Sequence, residues 1–140
     1  MIEFEECIKL GLLKRIPPSK VQADEQLKKA NILLEESKKS LNSDSPNSAV
    51  ITAYAAVLDA ARALLFRDGY REKSHACVVR YLEAKYSNEL GGSFIQLFDE
   101  YRDRRHKTMY SGDYYPTSAE AKRIVSFAEE FVGKVSKLLK

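Results

Sequence analysis

The sequence has little of several residues that mark particular protein classes. Its 140 residues include no tryptophan, two cysteines, four prolines and six glycines. The cysteines, Cys7 and Cys77, stand far apart without a Cys-x-x-Cys spacing, which argues against a structural zinc site or a secreted disulfide framework. We therefore expect two reduced cysteines in a cytoplasmic protein, both buried as small hydrophobic side chains.

Long hydrophobic runs are also missing. The longest stretch without a charged residue lies between Asp44 and Asp59, and it is shorter than the ~20 apolar residues of a membrane span. Glu3, Glu5 and Glu6 stand where a signal peptide would be basic. These features predict no membrane segment and no secretion signal.

No excess of one charge dominates the chain. The 23 Lys and Arg residues against 20 Asp and Glu residues give a net charge of +3, which neither requires nor excludes a nucleic-acid partner. Hydrophobic residues at 44% and charged residues at 31% are ordinary for a globular protein. The length favours one domain over residues 1–140, with residues 1–16 as a short N-terminal helix packed on it.

The apolar periodicity predicts helices, and no segment alternates as a strand would. A first short helix is expected from about Glu3 to Leu13. Ser19 and Thr117 each open a capping-box sequence, in which the cap side chain accepts from a backbone N–H three residues later. The segment from Pro46 to Phe66 is apolar on all sides, which predicts a central buried helix. The fold class is therefore all-α, an antiparallel up-and-down bundle of about five helices.

Basic and aromatic residues are concentrated between Asp99 and Tyr115. On a helix of 3.6 residues per turn, Arg105 falls at the centre of an apolar stripe formed by Phe94, Leu97, Phe98 and Tyr101. A guanidinium in that position needs a partner or a cleft. The neighbouring cations form either a solvated helix end or a phosphate-binding surface. The candidate nucleotide- or RNA-binding residues are Arg102, Arg104, Arg105, Lys107, Tyr110 and Tyr114, with Tyr115 as a further stacking face.

Two residues outside that segment are supporting candidates. Asp59 lies in the apolar helix and pairs either with Arg62, three residues on, or with Arg105. The local pair is the simpler expectation. His75 either caps and packs the start of the fourth helix, which is the preferred reading, or lies near Arg105 as a phosphate contact. Two histidines distant in sequence predict no metal site, and no cofactor motif is present.

Three stretches of the chain resemble one family. They are the alanine-rich Ser48–Phe66, the sequence G-Y-R-E-K-S-H-A at Gly69–Ala76, and R-H-K-T-M-Y-S-G-D-Y at Arg105–Tyr114. Together they resemble the HEPN domain family, specifically a compact uncharacterised prokaryotic branch that is related to HEPN/nucleotidyltransferase toxin–antitoxin proteins. The resemblance covers most of the chain from about residue 22 and implies the same helical bundle.

The resemblance also implies a site. Nuclease members of the family have an Arg, usually followed by a polar residue, and then a His after a gap of four to six residues. They use these residues in a metal-independent attack by the RNA 2′-OH. Arg105 matches the Arg, His106 stands in the polar position and Tyr110 stands where the His would be. Tyrosine is a poor general base at neutral pH, because its ordinary pKa is about 10. Arg105, Tyr110 and His106 are thus catalytic candidates without an assigned reaction.

The function that follows is a HEPN-type nucleotide- or RNA-binding module. The resemblance further implies a homodimer and a small nucleotidyltransferase partner in a toxin–antitoxin-like system. Two alternatives stay open: a metal-independent ribonuclease toxin with a degenerate Arg/His motif, and a helical adaptor with no ligand.

Overall fold

The computed structural model describes residues 2–140 and contains, within that range, six α-helices and two three-residue strands. The elements in chain order are α1 (Phe4–Lys9), β1 (Leu13–Arg15), α2 (Lys20–Asn42), α3 (Pro46–Asp68), β2 (Tyr70–Glu72), α4 (His75–Leu90), α5 (Gly92–Tyr110) and α6 (Ser118–Leu138). Because 78% of the residues are helical, the all-α bundle expected from the sequence is confirmed.

The sequence signals for the helix ends have clear structural counterparts. The Ser19 hydroxyl accepts a hydrogen bond from the backbone N–H of Gln22, and the Thr117 hydroxyl accepts one from that of Glu120, both at 3.1 Å. Pro46 occupies the first turn of α3. These contacts satisfy backbone groups that have no partner inside the helix.

The N-terminal helix is shorter than expected. α1 ends at Lys9, because Gly11 adopts a left-handed conformation with φ of 71° and turns the chain toward β1. β1 pairs antiparallel with β2, placing Leu13 opposite Glu72 and Arg15 opposite Tyr70. This small sheet was missed, since strands of three residues are too short to show an alternating pattern.

The two cysteines correct another expectation. Cys7 and Cys77 are fully buried, as predicted, but they form a disulfide and are not reduced. Packing of α1 against α4 brings their Cα atoms to 5.8 Å, within the range that a disulfide requires. Two cysteines 70 residues apart gave no sequence signal of this pairing.

α3 is the central helix of the bundle and packs against α2, α4, α5 and α6. Its length and composition would suffice for a membrane span, but 72% of its most apolar window is buried among the other helices. Its buried alanines, including Ala53, Ala56 and Ala60, have small side chains that let the neighbouring helices approach closely. The central helix predicted from the sequence is therefore confirmed as the core helix.

The end of α3 fixes the position of α4. Asp68 Oδ2 accepts hydrogen bonds from the hydroxyls of Tyr81 at 2.6 Å and Tyr86 at 2.5 Å, while Arg67 contacts Asp68 Oδ1 at 3.3 Å. Gly69 follows with φ of 89°, and a Cβ there would lie 2.8 Å from the carbonyl oxygen of Ile16. The tyrosine contacts hold the middle of α4 beside the end of α3, and the tight turn at Gly69 leads the chain into β2.

Candidate anion-binding site

Arg105 lies on the inner side of α5, half-buried against α3 and α4. Its Nη2 is 3.0 Å from Nδ1 of His75, and its guanidinium carbon lies 4.9 Å from the centre of the Tyr54 ring. Nη1 contacts the sulfur of Met109 at 3.2 Å. The site thus combines one side chain from α3, one from α4 and two from α5.

Every one of these contacts to Arg105 is with a neutral group. Among residues 2–140, no carboxylate lies within ion-pair distance of its guanidinium, and its Nε atom is buried without a hydrogen-bond partner. A partly desolvated cation with neutral partners and one unsatisfied donor is incompletely stabilised. The guanidinium geometry suits a phosphate or carboxylate, which can accept two parallel hydrogen bonds.

His75 is the first residue of α4. The capping role that we preferred for it belongs to Ser74, whose hydroxyl accepts from the Cys77 N–H at 3.4 Å. The imidazole instead contacts Arg105, and its Nδ1 lies 3.5 Å from the Tyr54 hydroxyl oxygen. Of the two alternatives, the structure therefore places His75 beside Arg105.

The contact with Arg105 fixes the protonation state of His75. Arginine only donates hydrogen bonds, so Nδ1 must accept and the ring proton is on Nε2. Burial lowers the pKa of His75 from its ordinary value of 6.5, and the positive charges of Arg105, Arg62 and Arg102 lower it further against a smaller opposing effect of Glu72. The imidazole is thus neutral at pH 7 and has a basic nitrogen facing a guanidinium.

Tyr54 forms the floor of the site and had no assigned role in the sequence. It is buried, and its ring lies 5.8 Å from that of Phe98. Burial raises the pKa of Tyr54 to about 12, although Arg105 acts in the opposite direction. The hydroxyl therefore stays protonated at neutral pH. The sequence did contain a signal for Tyr54: it is the one tyrosine in an alanine-rich apolar helix, and a buried tyrosine hydroxyl needs a hydrogen-bond partner.

Asp59 does not reach this site. Its carboxylate pairs with Arg62 at 3.1 Å, as the local alternative predicted, and Arg62 also contacts Glu72 at 2.8 Å. The pair between Asp59 and Arg105 is not formed. Arg62 is consequently neutralised by two acids, whereas Arg105 is not.

The other three cations of α5 have acidic partners. Arg102 contacts Asp99 at 2.9 Å, Arg104 contacts Glu120 at 2.7 Å and Lys107 contacts Asp103 at 3.2 Å. These pairs are at least partly exposed, so each is weak and can open to a ligand. The predicted basic cluster is thus divided between one inward cation, Arg105, and cations on other faces of the helix.

The aromatic candidates lie outside the contacts of Arg105. His106 and Tyr110 are exposed, and their rings pack at 4.8 Å. The hydroxyl of Tyr114 donates to Glu120 at 2.7 Å, and Tyr115 is exposed. Tyr110 and Tyr115 thus present accessible rings, while Tyr114 is held by α6. Within residues 2–140, no three His, Cys, Asp or Glu side chains converge as metal ligands.

Comparison with known proteins places these elements in a family. The model of the HEPN domain matches residues 23–138. The chain belongs to the HEPN family. A protein of Methanocaldococcus jannaschii named "Putative toxin MJ0605" is 32% identical over 121 residues, which cover 84% of each chain. The HEPN match includes Tyr54, His75 and Arg105, while Cys7 and β1 precede it.

Proposed function

We propose that this HEPN domain is a toxin-like module that binds RNA or nucleotide phosphate through Arg105. The observation on which the proposal rests is the half-buried guanidinium whose partners, His75, Tyr54 and Met109, are all neutral. An anion would supply the missing countercharge and, after a small rotation of the side chain, an acceptor for Nε. The family and the name of the Methanocaldococcus relative support the toxin-like assignment.

Residues around Arg105 would contribute in a graded way. Arg102, Arg104 and Lys107 are proposed to exchange their acidic partners for phosphates of a longer ligand, which adds a salt-dependent attraction. Tyr110 offers a face for base stacking. Tyr114 is proposed as a neighbouring contact that must first leave Glu120. These roles predict tighter binding of an oligonucleotide than of a mononucleotide.

A fluorescence anisotropy titration tests the proposal. Labelled single-stranded RNA is titrated with the protein at low and at moderate salt, and unlabelled AMP is added as competitor. Saturable binding that weakens with salt supports the phosphate site, and displacement by AMP indicates that a nucleotide suffices. If neither RNA nor nucleotide binds at low salt, the helical adaptor without a ligand is the better account.

A metal-independent ribonuclease is the second candidate, and the contact of His75 with Arg105 favours it. When Arg105 turns to a phosphate, Nδ1 of His75 is released as an acceptor. It could take the proton of a 2′-OH that attacks the adjacent phosphorus, while the bond to the 5′ oxygen breaks and that oxygen takes a proton from water. The products are a 2′,3′-cyclic phosphate and a 5′-hydroxyl end. His75 would then supply the imidazole that the Arg105–Tyr110 motif lacks.

A cleavage assay separates the two candidates. Wild type, His75→Gln, His106→Ala and Tyr110→Phe are incubated with the same RNA. Cleavage lost in His75→Gln and retained in His106→Ala supports the ribonuclease with His75 as base. Cleavage abolished by His106→Ala would assign the reaction to the motif itself. Binding without cleavage supports the binding module.

The proposal includes a homodimer in which two Arg105 side chains face one shared cleft. Two guanidiniums close together repel each other, and an anion between them removes that repulsion. Light scattering at micromolar concentration should give twice the mass of the chain. A strict monomer, with and without RNA, would remove the dimer from the proposal.

The proposed protein partner is a small nucleotidyltransferase encoded next to this chain, as in toxin–antitoxin pairs. Co-expression of the neighbouring gene product should yield a complex that survives size-exclusion chromatography.

We also propose a cytoplasmic location, although disulfides are more typical of oxidising compartments. Cell fractionation tests this: recovery of the protein only in the membrane or extracellular fraction would contradict it.

A further inference from the structure

A groove between α5 and α6 lies apart from the contacts of Arg105. Its volume is about 530 Å³, which falls within the size range of small-molecule sites. The residues that matter are four with large apolar or aromatic side chains and two cations, namely Phe94, Leu97, Tyr101, Phe127, Lys122 and Arg123. None of these six contributes to the site around Arg105.

The floor of the groove is aromatic. The ring of Phe127 lies 4.6 Å from that of Phe94 and 5.0 Å from that of Tyr101. Phe127 is buried, Phe94 and Tyr101 are half-buried, and Leu97 is 37% exposed. Leu97 belongs to the predicted apolar stripe of α5, but the buried residues of this helix are Ile95 and Phe98. The accessible apolar surface is thus continuous and suits a flat, apolar ligand.

The rim of the groove has an uncompensated positive charge. Among residues 2–140, Lys122 and Arg123 have no ion-pair partner, in contrast to Arg102, Arg104 and Lys107 on α5. Glu130 also lines the rim, but its carboxylate is 3.9 Å from Lys134. Lys134 in turn lies 4.1 Å from the centre of the Phe94 ring. The local charge therefore favours an anion.

We propose that this groove binds a small planar aromatic anion. The ring packs on Phe94, Tyr101 and Phe127, and the anionic group lies between Lys122 and Arg123. A volume of about 530 Å³ fits one small molecule. This site is independent of the phosphate site, because α5 presents Tyr101 and Arg105 to different neighbours.

Anilinonaphthalene sulfonate, which is a planar aromatic anion, is the probe. Its fluorescence is titrated against wild type, the double variant Lys122→Gln/Arg123→Gln, and a control double variant, Lys137→Gln/Lys140→Gln. The control removes two exposed charges from the C-terminal end of the chain. We expect one saturable site in wild type and control, and an affinity about tenfold lower in the groove variant. The RNA titration is run on the same proteins, so a failure of the groove proposal is distinct from a failure of RNA binding.

Uncharged phenylnaphthylamine, which has the same rings without the sulfonate, should bind wild type and groove variant equally. Displacement of the bound sulfonate by naphthoate or by AMP then identifies the anionic group as a carboxylate or a phosphate. Equal affinity of the sulfonate for wild type and groove variant would overturn the proposal. A change from dimer to monomer in Leu97→Ser, measured by light scattering, would also overturn the proposal, because the groove would then be an interface between two copies.

Discussion

Nη2 of Arg105 donates to Nδ1 of His75 over 3.0 Å, although the two residues are 30 positions apart in the chain. The hydrogen bond joins the first residue of α4 to the fourth turn of α5 and leaves the guanidinium without an acidic partner. Arg105 therefore depends on two neutral side chains, the imidazole of His75 and the ring of Tyr54.

The ring of Tyr54 should matter more for stability than its hydroxyl. Tyr54→Leu removes the cation–π contact with Arg105 and the ring packing on Phe98, so we expect the free energy of unfolding to fall by about 2 kcal/mol. Tyr54→Phe keeps the ring and should cost less than about 1 kcal/mol. Urea denaturation measures both values. A loss in Tyr54→Phe as large as that in Tyr54→Leu would contradict the role of the ring.

The protonation of His75 should make stability depend on pH. The pKa of His75 is lowered in the fold by burial and by Arg105, so below its ordinary value of 6.5 the unfolded chain binds the proton and the folded chain does not. Stability therefore falls as the pH decreases from 6.5 to the lowered pKa and is unaffected by this group above 6.5. Arg105 contacts the imidazole, and the charges of Arg62 and Arg102 also lower its pKa, while that of Glu72 raises it.

Thermal unfolding between pH 5 and 8 tests that dependence. His75→Gln should lose less stability than wild type on acidification, because it has no imidazole to protonate at this position. His106→Gln, which removes an exposed imidazole, is the matched control and should follow the wild-type curve. Identical pH profiles for wild type and His75→Gln would show that the fold does not disfavour the imidazolium.

The Cys7–Cys77 disulfide should stabilise the chain mainly by restricting the unfolded state. It closes a loop with a sequence separation of 70, for which the chain-entropy model gives about 4 kcal/mol. The double variant Cys7→Ser/Cys77→Ser should therefore unfold at lower urea concentration, and α1 should be the first segment to exchange its amide hydrogens. Mass spectrometry of the alkylated protein checks the bond directly. Two free thiols in the air-oxidised protein would contradict the pairing.

Local signals in the sequence were sufficient for most of the fold. Ser19, Thr117 and Pro46 mark helix starts through short-range backbone chemistry, so each could be read without knowledge of the tertiary structure. α3 could be identified as the core helix, because a helix that is apolar all round has to be buried. Val21 of α2, by contrast, is apolar but 69% exposed, since periodicity does not say how far the packing of a neighbouring helix extends.

The candidate site was only partly predictable for the same reason. Arg105 could be found because it interrupts an apolar stripe on its own helix. Its partners could not, since His75 and Tyr54 reach it from α4 and α3 through contacts that no local pattern encodes. The division of the basic cluster also depends on tertiary contacts: Arg104 reaches Glu120 on α6, and only the fold decides which cation is left without an acid.

Arg105 is proposed to bind phosphate because, among residues 2–140, it is the one cation of α5 without an acidic partner. Arg105→Gln and Arg102→Gln remove the same charge from the same helix, and only Arg102 is compensated, by Asp99. The most direct measurement is the affinity of the two variants for labelled single-stranded RNA at fixed salt, by fluorescence anisotropy. We expect a loss of about tenfold or more for Arg105→Gln and of less than about threefold for Arg102→Gln. Equal losses in the two variants would contradict it.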